Sequence, residues 1–205
     1  MKLLSVVAGA VALVLLAAIF LVRGVIGRAP PTASPSATTL VGEAVMSPGS
    51  TPAPDFVLRD QAGRTVTVKD FRGRVVALTF LDSHCQQKCP VEGEQLGQAM
   101  KGLGTRTPFA LLVVSVAPAT DTPESVAAFA ATHQWTDEWH WLFGSQKELA
   151  PVWKAYGIDV EAGPTGNIPH SIALYLVDRQ GYERAGFLFT DPPRVERDIQ
   201  ILSRS

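Results

Sequence analysis

The two cysteines of the chain, Cys85 and Cys89, are the residues whose type and spacing best suit chemistry. They stand four positions apart, directly after the apolar run VVALTFLD and at the start of a segment with helical spacing. On a helical turn both side chains project to one side, so both sulfurs can reach one ion. The positive end of the helix also favours thiolate over thiol. Two thiolates favour a soft metal ion, and Cu(I) accepts the low coordination number that two thiolates nearly fill.

His170 is the candidate for a third ligand. It follows the loop EAGPTGNIP and begins the predicted strand SIALYLVD, which an α/β sheet can place beside the end of the first central strand. A neutral third ligand would let the site hold Cu(II) as well as Cu(I). Zinc fits less well, because structural zinc sites normally use four protein ligands and only these three are evident.

The remaining histidines and a nearby aspartate have simpler interpretations. His84 adjoins Cys85 and is expected to be structural or to modulate the site. His133 and His140 lie among several tryptophans, where core or interface packing explains such a cluster better than a ligand site. Asp82 ends the apolar run near the cysteines and could influence thiol protonation, although a solvated strand-end carboxylate is the simpler prediction. None of these four residues is predicted to be a metal ligand.

Strand and helix patterns alternate around these residues. FVLRD and TVTVKD predict a hairpin, VVALTFLD and FALLVVSV predict buried strands, and HWLFG predicts a short strand. SIALYLVD and YERAGFLF predict an antiparallel pair. Helical spacing marks PVEGEQLGQAMKGL, DTPESVAAFAATHQ, SQKELAPVWKAYG and DPPRVERDIQILS, with Thr122 and Asp191 as predicted N-caps. The order predicts an α/β fold with a mixed central sheet flanked by helices.

The N-terminal residues 1–28 form a predicted membrane anchor. Residues 3–22 carry no charge, and a transmembrane helix needs about 20 apolar residues. A cleaved signal peptide is the alternative, although its apolar region is usually shorter. Lys2, Arg23 and Arg28 place positive charge near both ends of the apolar run, so the positive-inside rule indicates no orientation.

A linker and one domain are predicted after the anchor. Residues 29–53 are rich in Pro, Ser and Thr and predict a semi-extended linker, whose middle, LVGEAVM, can form a short strand against the domain. Residues 54–205 are enough for one domain with a core of its own. The formal net charge of the chain is −1, and its Lys and Arg residues are scattered. No nucleic-acid partner is therefore expected.

From about Pro54 onward the sequence contains five linked segments, APDFVLRDQAGRTVTVKDFRGRVVALTF, CQQKCP, SVAPATDTPESV, KAYGIDVE and HSIALYLVDRQG. Together these segments resemble the Sco/SenC family of copper-binding, thioredoxin-fold proteins. The resemblance implies a thioredoxin-like fold, with Cys85, Cys89 and His170 matching the family's three copper ligands. Pro169 stands where the family commonly has an acidic residue, and Ala117 where it commonly has an aspartate. Both departures bear on copper transfer more than on copper binding, since groups around the ligands tune a metal site.

The resemblance also implies a function and a location. It implies a copper chaperone or a thiol-disulfide oxidoreductase that assists assembly of the copper centre of cytochrome c oxidase. A metallochaperone, and not a turnover enzyme, is the leading hypothesis. Its expected partners are copper and an oxidase subunit or another copper or thiol protein. The expected location is the cell membrane, with a single N-terminal span and the domain on the extracytoplasmic side.

Two other functions stay open at this point. A membrane-tethered thiol-disulfide oxidoreductase would cycle Cys85 and Cys89 between dithiol and disulfide without needing a metal. A copper or redox sensor is the third and weakest hypothesis, because no signalling domain is evident in the sequence. A peroxidase is disfavoured, since peroxiredoxin-like enzymes carry the pattern P-x-x-x-T/S-x-x-C, and the residues before Cys85, among them Leu81 and Thr79, do not match it.

Overall fold

A computed structural model describes residues 39–105, 107–136, 138–161 and 168–205. The described chain forms eight strands, four helices and one 3-10 turn over Val68–Phe71. The strands are β1 Ala44–Val45, β2 Leu58–Arg59, β3 Thr65–Val66, β4 Val75–Leu81, β5 Phe109–Ser115, β6 Trp139–Leu142, β7 Leu174–Val177 and β8 Glu183–Phe187. The helices are α1 Lys88–Leu103, α2 Pro123–Thr132, α3 Gln146–Ala155 and α4 Pro192–Arg204.

Six of these strands form one mixed sheet in the order β1-β8-β7-β4-β5-β6. β4, β5 and β6 run parallel to one another, whereas β7 pairs antiparallel with both β4 and β8. Every residue of β4 and β5 is buried, as their uninterrupted apolar sequences predict. The prediction of a mixed sheet is therefore confirmed, and β2 and β3 form the predicted hairpin apart from it.

Apolar side chains pack on both faces of this sheet. One core contains residues of α1, α2 and α4, including Leu96, Phe129 and Ile199. The other contains residues of α3, the hairpin and the 3-10 turn, including Leu149 and Phe71. Helices therefore cover both faces, as the sequence predicts.

Local capping explains where three of the helices begin or end. Thr122 accepts a hydrogen bond from the N–H of Ser125 at the start of α2. Asp191 accepts one from the N–H of Arg194 at the start of α4. Both predicted N-caps are thus confirmed. Gly157, which follows α3, has a positive φ of 66°, a conformation that glycine adopts without steric cost.

The described part of the predicted linker packs against the domain. Leu40 is buried, and β1 pairs with β8, which confirms the short strand predicted within LVGEAVM. The N–H groups of Val41 and Gly42 donate to the buried carboxylate of Asp198. The packed unit therefore includes residues before the predicted boundary at Pro54, because an apolar side chain and two backbone donors find partners there.

The predicted anchor, residues 1–28, lies outside the described residues and stays a prediction. Within the described ranges of 39–205, none of the helices is both long and apolar enough to cross a membrane.

Candidate metal centre

Strand direction brings the cysteine loop and His170 to one edge of the sheet. β4 ends at Leu81, so the loop that carries the cysteines leaves from its carboxyl end. β7 runs antiparallel to β4, with Leu174 opposite Thr79, so the chain that precedes β7 reaches this same edge. The Thr79 hydroxyl also donates to the carbonyl of Ala173 at 3.1 Å. The sheet thus positions His170 beside a loop that is far away in sequence.

His170 itself lies before the regular strand. The sequence places it at the start of SIALYLVD, whereas β7 begins at Leu174. His170 pairs instead with Val160 in an isolated bridge, and Ser171 N–H donates to the carbonyl of Asp159 at 3.0 Å. These bonds to the chain after α3 hold His170 away from the sheet ladder and beside the cysteine loop.

The two cysteines and His170 come together in the structure. Cys89 is in the first turn of α1 and is fully buried, whereas Cys85 lies in the preceding loop and is half-buried. Both thiols are free. The Cys89 Sγ is 3.8 Å from the Nε2 of His170, a hydrogen-bond contact between residues 81 apart in sequence. The role of the three residues as copper ligands stays a prediction.

The two thiols differ in acidity. Burial raises the pKa of Cys85, but hydrogen bonds from the N–H groups of Cys89, Gln87 and Lys88 and from the Cys89 thiol outweigh it and lower that pKa overall. This is the predicted effect of a helix N-terminus on a thiol. Burial raises the pKa of Cys89, and the neighbouring charges of Cys85 and Asp82 raise it further. Cys85 is therefore the thiol of the pair that ionises more readily.

His170 is held in the neutral form that binds metals. Burial lowers its pKa, and the positive charge of Lys88 acts in the same direction. The negative charge of Asp82 opposes both without reversing the shift. A neutral imidazole keeps one ring nitrogen free to accept a hydrogen bond or to bind a metal.

Asp82 differs from its sequence-based prediction. It is 0% exposed, so the prediction of a solvated carboxylate is wrong. The loop after β4 turns back over the strand end, and Cys85 N–H donates to the Asp82 carbonyl at 3.2 Å. One carboxylate oxygen, Oδ1, accepts from His84 N–H at 2.8 Å, and the other, Oδ2, is buried with no hydrogen-bond partner. No signal in the sequence separates this aspartate from an exposed one at a strand end.

A second buried carboxylate, Asp121, holds the cysteine loop through hydrogen bonds from Ser83. Its Oδ1 accepts from the N–H and the hydroxyl of Ser83, at 2.9 and 2.6 Å. Its Oδ2 accepts from the Ser115 hydroxyl at 2.6 Å and from the indole N–H of Trp141 at 3.2 Å. Burial raises the pKa of Asp121 despite these bonds. His84 is exposed, with its Nδ1 4.0 Å from Asp121 Oδ1.

The aromatic and histidine cluster is structural, as the sequence predicts. Trp135 stacks on Trp141 with ring centroids 6.2 Å apart, and Phe129 meets both rings edge-on. His140 is buried, with its Nδ1 3.1 Å from Asp60 and its Nε2 3.0 Å from a carboxylate oxygen of Glu138.

Comparison with known protein families identifies the relationship. A family model described as SCO1/SenC matches residues 45–198. The chain belongs to the SCO1/SenC family. Curated SCO1/SenC relatives include the mitochondrial SCO2 homolog of Bos taurus, 36% identical over 149 residues, which are 67% of this chain and 52% of the relative. The mitochondrial SCO2 homolog of Homo sapiens is 32% identical over 163 residues, 74% of this chain and 57% of that protein. The chain thus spans about half the length of these relatives.

Solved SCO1/SenC structures share the fold. The structure of Bradyrhizobium japonicum ScoI with copper bound is similar with a TM-score of 0.65 at 25% identity, covering 74% of this chain and 99% of that one. Apo Sco1 from Thermus thermophilus has a TM-score of 0.67 at 24% identity and covers 80% of this chain and 98% of its own. Of the two positions that depart from the family pattern, Pro169 is exposed beside His170, and Ala117 is buried after β5.

Proposed function

We propose that this chain binds one copper ion through Cys85, Cys89 and His170 and delivers it to a recipient protein, as a metallochaperone and not a turnover enzyme. The single observation that carries the proposal is the 3.8 Å contact between Cys89 Sγ and His170 Nε2. It brings the imidazole to the helix start beside which Cys85 also lies, so that a donor set suited to Cu(I) and Cu(II) comes from distant parts of the chain. The copper-bound ScoI of Bradyrhizobium japonicum supports the choice of metal.

The electrostatics of the site suit a cargo that is bound and then released. Cys85 has a lowered pKa, so it ionises more readily than an ordinary thiol, and it is half-buried, so a recipient protein can reach it. Cys89 has a raised pKa and must lose a proton when metal binds. Copper affinity is therefore expected to rise with pH, and a recipient can take the metal as Cys89 regains its proton.

The proposed setting follows the family. We propose that residues 1–28 anchor the chain in the cell membrane and hold the domain on the extracytoplasmic side. The proposed recipient is a subunit of cytochrome c oxidase, whose copper centre the chain would help to assemble. One solved structure that shares the fold at 22% identity is described as a member of the Sco family of cytochrome c oxidase assembly proteins.

Copper titration of the full reduced chain tests the proposal. We expect one copper per chain and a thiolate-to-Cu(II) absorption band, both lost in Cys85→Ala and in Cys89→Ala. His170→Ala is expected to weaken binding as well, because the metal loses one of its three ligands. His133→Gln changes a histidine outside the site and serves as the matched control. Unchanged copper stoichiometry in Cys85→Ala would refute the assignment.

The unequal acidity of the two thiols favours thiol-disulfide exchange as a second candidate function. In this scheme the Cys85 thiolate attacks a substrate disulfide and one substrate sulfur leaves as a thiolate. Cys89 then loses its proton and displaces the second substrate sulfur, which leaves the Cys85–Cys89 disulfide and a reduced substrate. His170→Ala should retain this exchange with purified disulfide substrates, whereas loss of exchange together with loss of copper would reject it.

A further inference from the structure

Two buried carboxylates, Asp82 and Asp121, lie near each other beyond the carboxyl ends of β4 and β5. Asp82 directly follows β4, and Asp121 lies in the segment that follows β5. Burial and the negative charge of Asp82 both raise the pKa of Asp121. Within the described ranges of the chain, neither carboxylate forms an ion pair with a lysine or an arginine. Two like charges that are buried together without a cation destabilise the folded state.

One oxygen of this pair has no hydrogen-bond partner. Asp82 Oδ1 accepts a hydrogen bond from His84 N–H at 2.8 Å. Among the residues that the structure describes, Asp82 Oδ2 is the one buried side-chain nitrogen or oxygen without a partner. Buried polar groups in native proteins nearly always have partners, so an oxygen of this kind points to a ligand that the protein chain itself does not supply.

The exposed side chain of His84 completes a group of three metal-binding residues. One carboxylate oxygen of Asp82, one ring nitrogen of His84 and one carboxylate oxygen of Asp121 lie within 4.8 Å of one another. His84 Nδ1 is 4.0 Å from Asp121 Oδ1. A zinc ion about 2.1 Å from each ligand holds its ligand atoms at most about 4.2 Å apart. A small rotation of the His84 side chain is therefore enough to close a site around an ion.

Asp121 can bind a cation although both of its oxygens accept hydrogen bonds. The Ser83 hydroxyl donates to Asp121 Oδ1 at 2.6 Å, and the same hydroxyl is 2.8 Å from Ser125 Oγ. Its proton can turn to Ser125, which frees a lone pair of Asp121 Oδ1 for a metal ion. The bonds from Ser83 N–H, Ser115 and Trp141 remain. Such bonds orient the carboxylates that bind metal ions in proteins.

We propose that Asp82, His84 and Asp121 bind a divalent cation of the zinc type, at a site separate from the proposed copper site. Zinc accepts carboxylate oxygens and imidazole nitrogen, and zinc sites that keep one position open for water use three protein ligands. The donor set contains no sulfur, so it does not favour the softer Cu(I). A doubly charged cation neutralises the two buried carboxylates and gives the free oxygen of Asp82 a partner. The two sites share no ligand, so this inference does not rest on the copper-binding function.

Zinc titration of a full chain without thiols tests this site by itself. The double variant Cys85→Ser/Cys89→Ser removes the sulfurs that would also bind zinc. We expect it to bind one Zn(II), and we expect zinc to raise its midpoint of urea unfolding, because a ligand that binds only the folded state stabilises it. Adding His84→Gln or Asp82→Asn should abolish both effects. Adding His133→Gln, the matched control, should leave both effects in place.

Two further measurements keep the test decisive if a variant does not fold. Should the thiol-free chain fail to fold, the parent chain is titrated instead, and His84→Gln should lower its zinc stoichiometry by one. Asp82→Asn removes a buried charge and keeps an acceptor for His84 N–H. The zinc-free Asp82→Asn chain should therefore be at least as stable in urea as the parent. A clear loss of stability would show that this carboxylate serves the fold and would overturn the proposal.

The results for zinc and for copper are independent of each other. If the thiol-free chain binds no zinc, or if zinc binding survives both His84→Gln and Asp82→Asn, the second site is wrong and the copper proposal stands. If the parent chain binds no copper while the thiol-free chain binds zinc through His84 and Asp82, the copper proposal fails and the second site stands.

Discussion

Asp82 and Asp178 occupy equivalent places at opposite ends of the sheet. Each directly follows a buried strand, β4 or β7, and these neighbouring strands are antiparallel. Both carboxylates are buried. Asp178 accepts hydrogen bonds from the N–H groups of Gln180 and Tyr182 and pairs with Arg184, whereas Asp82 Oδ2 has no partner.

The contrast shows how one residue type at one kind of position can serve two purposes. At the Asp178 end, the carboxylate closes the tight turn between β7 and β8 and its bonds are internal. At the Asp82 end, the chain opens into a loop that leaves Cys85 partly exposed. A satisfied carboxylate stabilises the fold, whereas a buried oxygen without a partner destabilises it unless a water, an ion or a functional role accounts for it.

Replacing the satisfied carboxylate should give the largest effect. Asp178→Ala is expected to lower the free energy of unfolding by about 2–4 kcal/mol, because two N–H groups and a guanidinium lose their acceptor. Urea unfolding of the metal-free chain measures it. Asp159→Ala, at an exposed aspartate, is the control and should change stability by less than about 0.5 kcal/mol. Equal losses of stability in the two variants would show that the Asp178 carboxylate does not stabilise the fold.

The two thiols near the Asp82 end of the sheet should differ greatly in their rates of alkylation. Since the pKa of Cys85 is lowered and that of Cys89 is raised, iodoacetamide should modify Cys85 about 100-fold faster or more at neutral pH. Peptide mapping by mass spectrometry measures both rates on the reduced, copper-free chain. Cys89→Ser should leave Cys85 reactive but slower, because one hydrogen bond to its sulfur is altered. Similar rates for both thiols would contradict this account of the site.

Another buried carboxylate, Asp198, should resemble Asp178 and not Asp82. It accepts hydrogen bonds from the N–H groups of Val41 and Gly42, so Asp198→Ala is expected to cost about 1–3 kcal/mol. Amide hydrogen exchange at Val41 and Gly42 should accelerate as the N-terminal segment loses this attachment. Asp198→Asn keeps one acceptor oxygen and should lie between parent and Ala variant. Unchanged exchange would show that β1 alone holds the segment.

The smallest expected effect is the contribution of His170 to the pH dependence of the free energy of unfolding. Burial lowers the pKa of His170, so below about pH 6.5 the unfolded chain gains a proton that the folded chain resists. Stability should therefore fall as pH drops through this range. His170→Gln should make the decline in the free energy of unfolding shallower, as measured by urea unfolding with a chelator present. Burial also lowers the pKa of His133, so the contribution of that histidine to the decline should persist. Parallel curves for the two proteins would indicate that His170 is solvated.

Much of this protein follows from local sequence patterns. The apolar runs of β4 and β5, the turn between β7 and β8, and the N-caps Thr122 and Asp191 all lie where the sequence predicts them. These features depend on neighbours within a few residues, so periodicity and capping chemistry are enough to predict them. The lowered pKa of Cys85 likewise follows from its position at a helix start, because the N–H groups that donate to its sulfur are adjacent in the chain.

Tertiary structure alone decided the rest. His170 reaches Cys89 because β7 runs antiparallel to β4 and a bridge to Val160 holds the residue clear of the strand, neither of which spacing reveals. The attachment of residues 39–53 depends on Asp198, far along the chain. Asp82 shows most clearly what local sequence does not predict, since whether a strand-end carboxylate is solvated or buried depends on where distant segments pack. Burial is a property of the whole fold, and it left one oxygen of Asp82 without a hydrogen-bond partner.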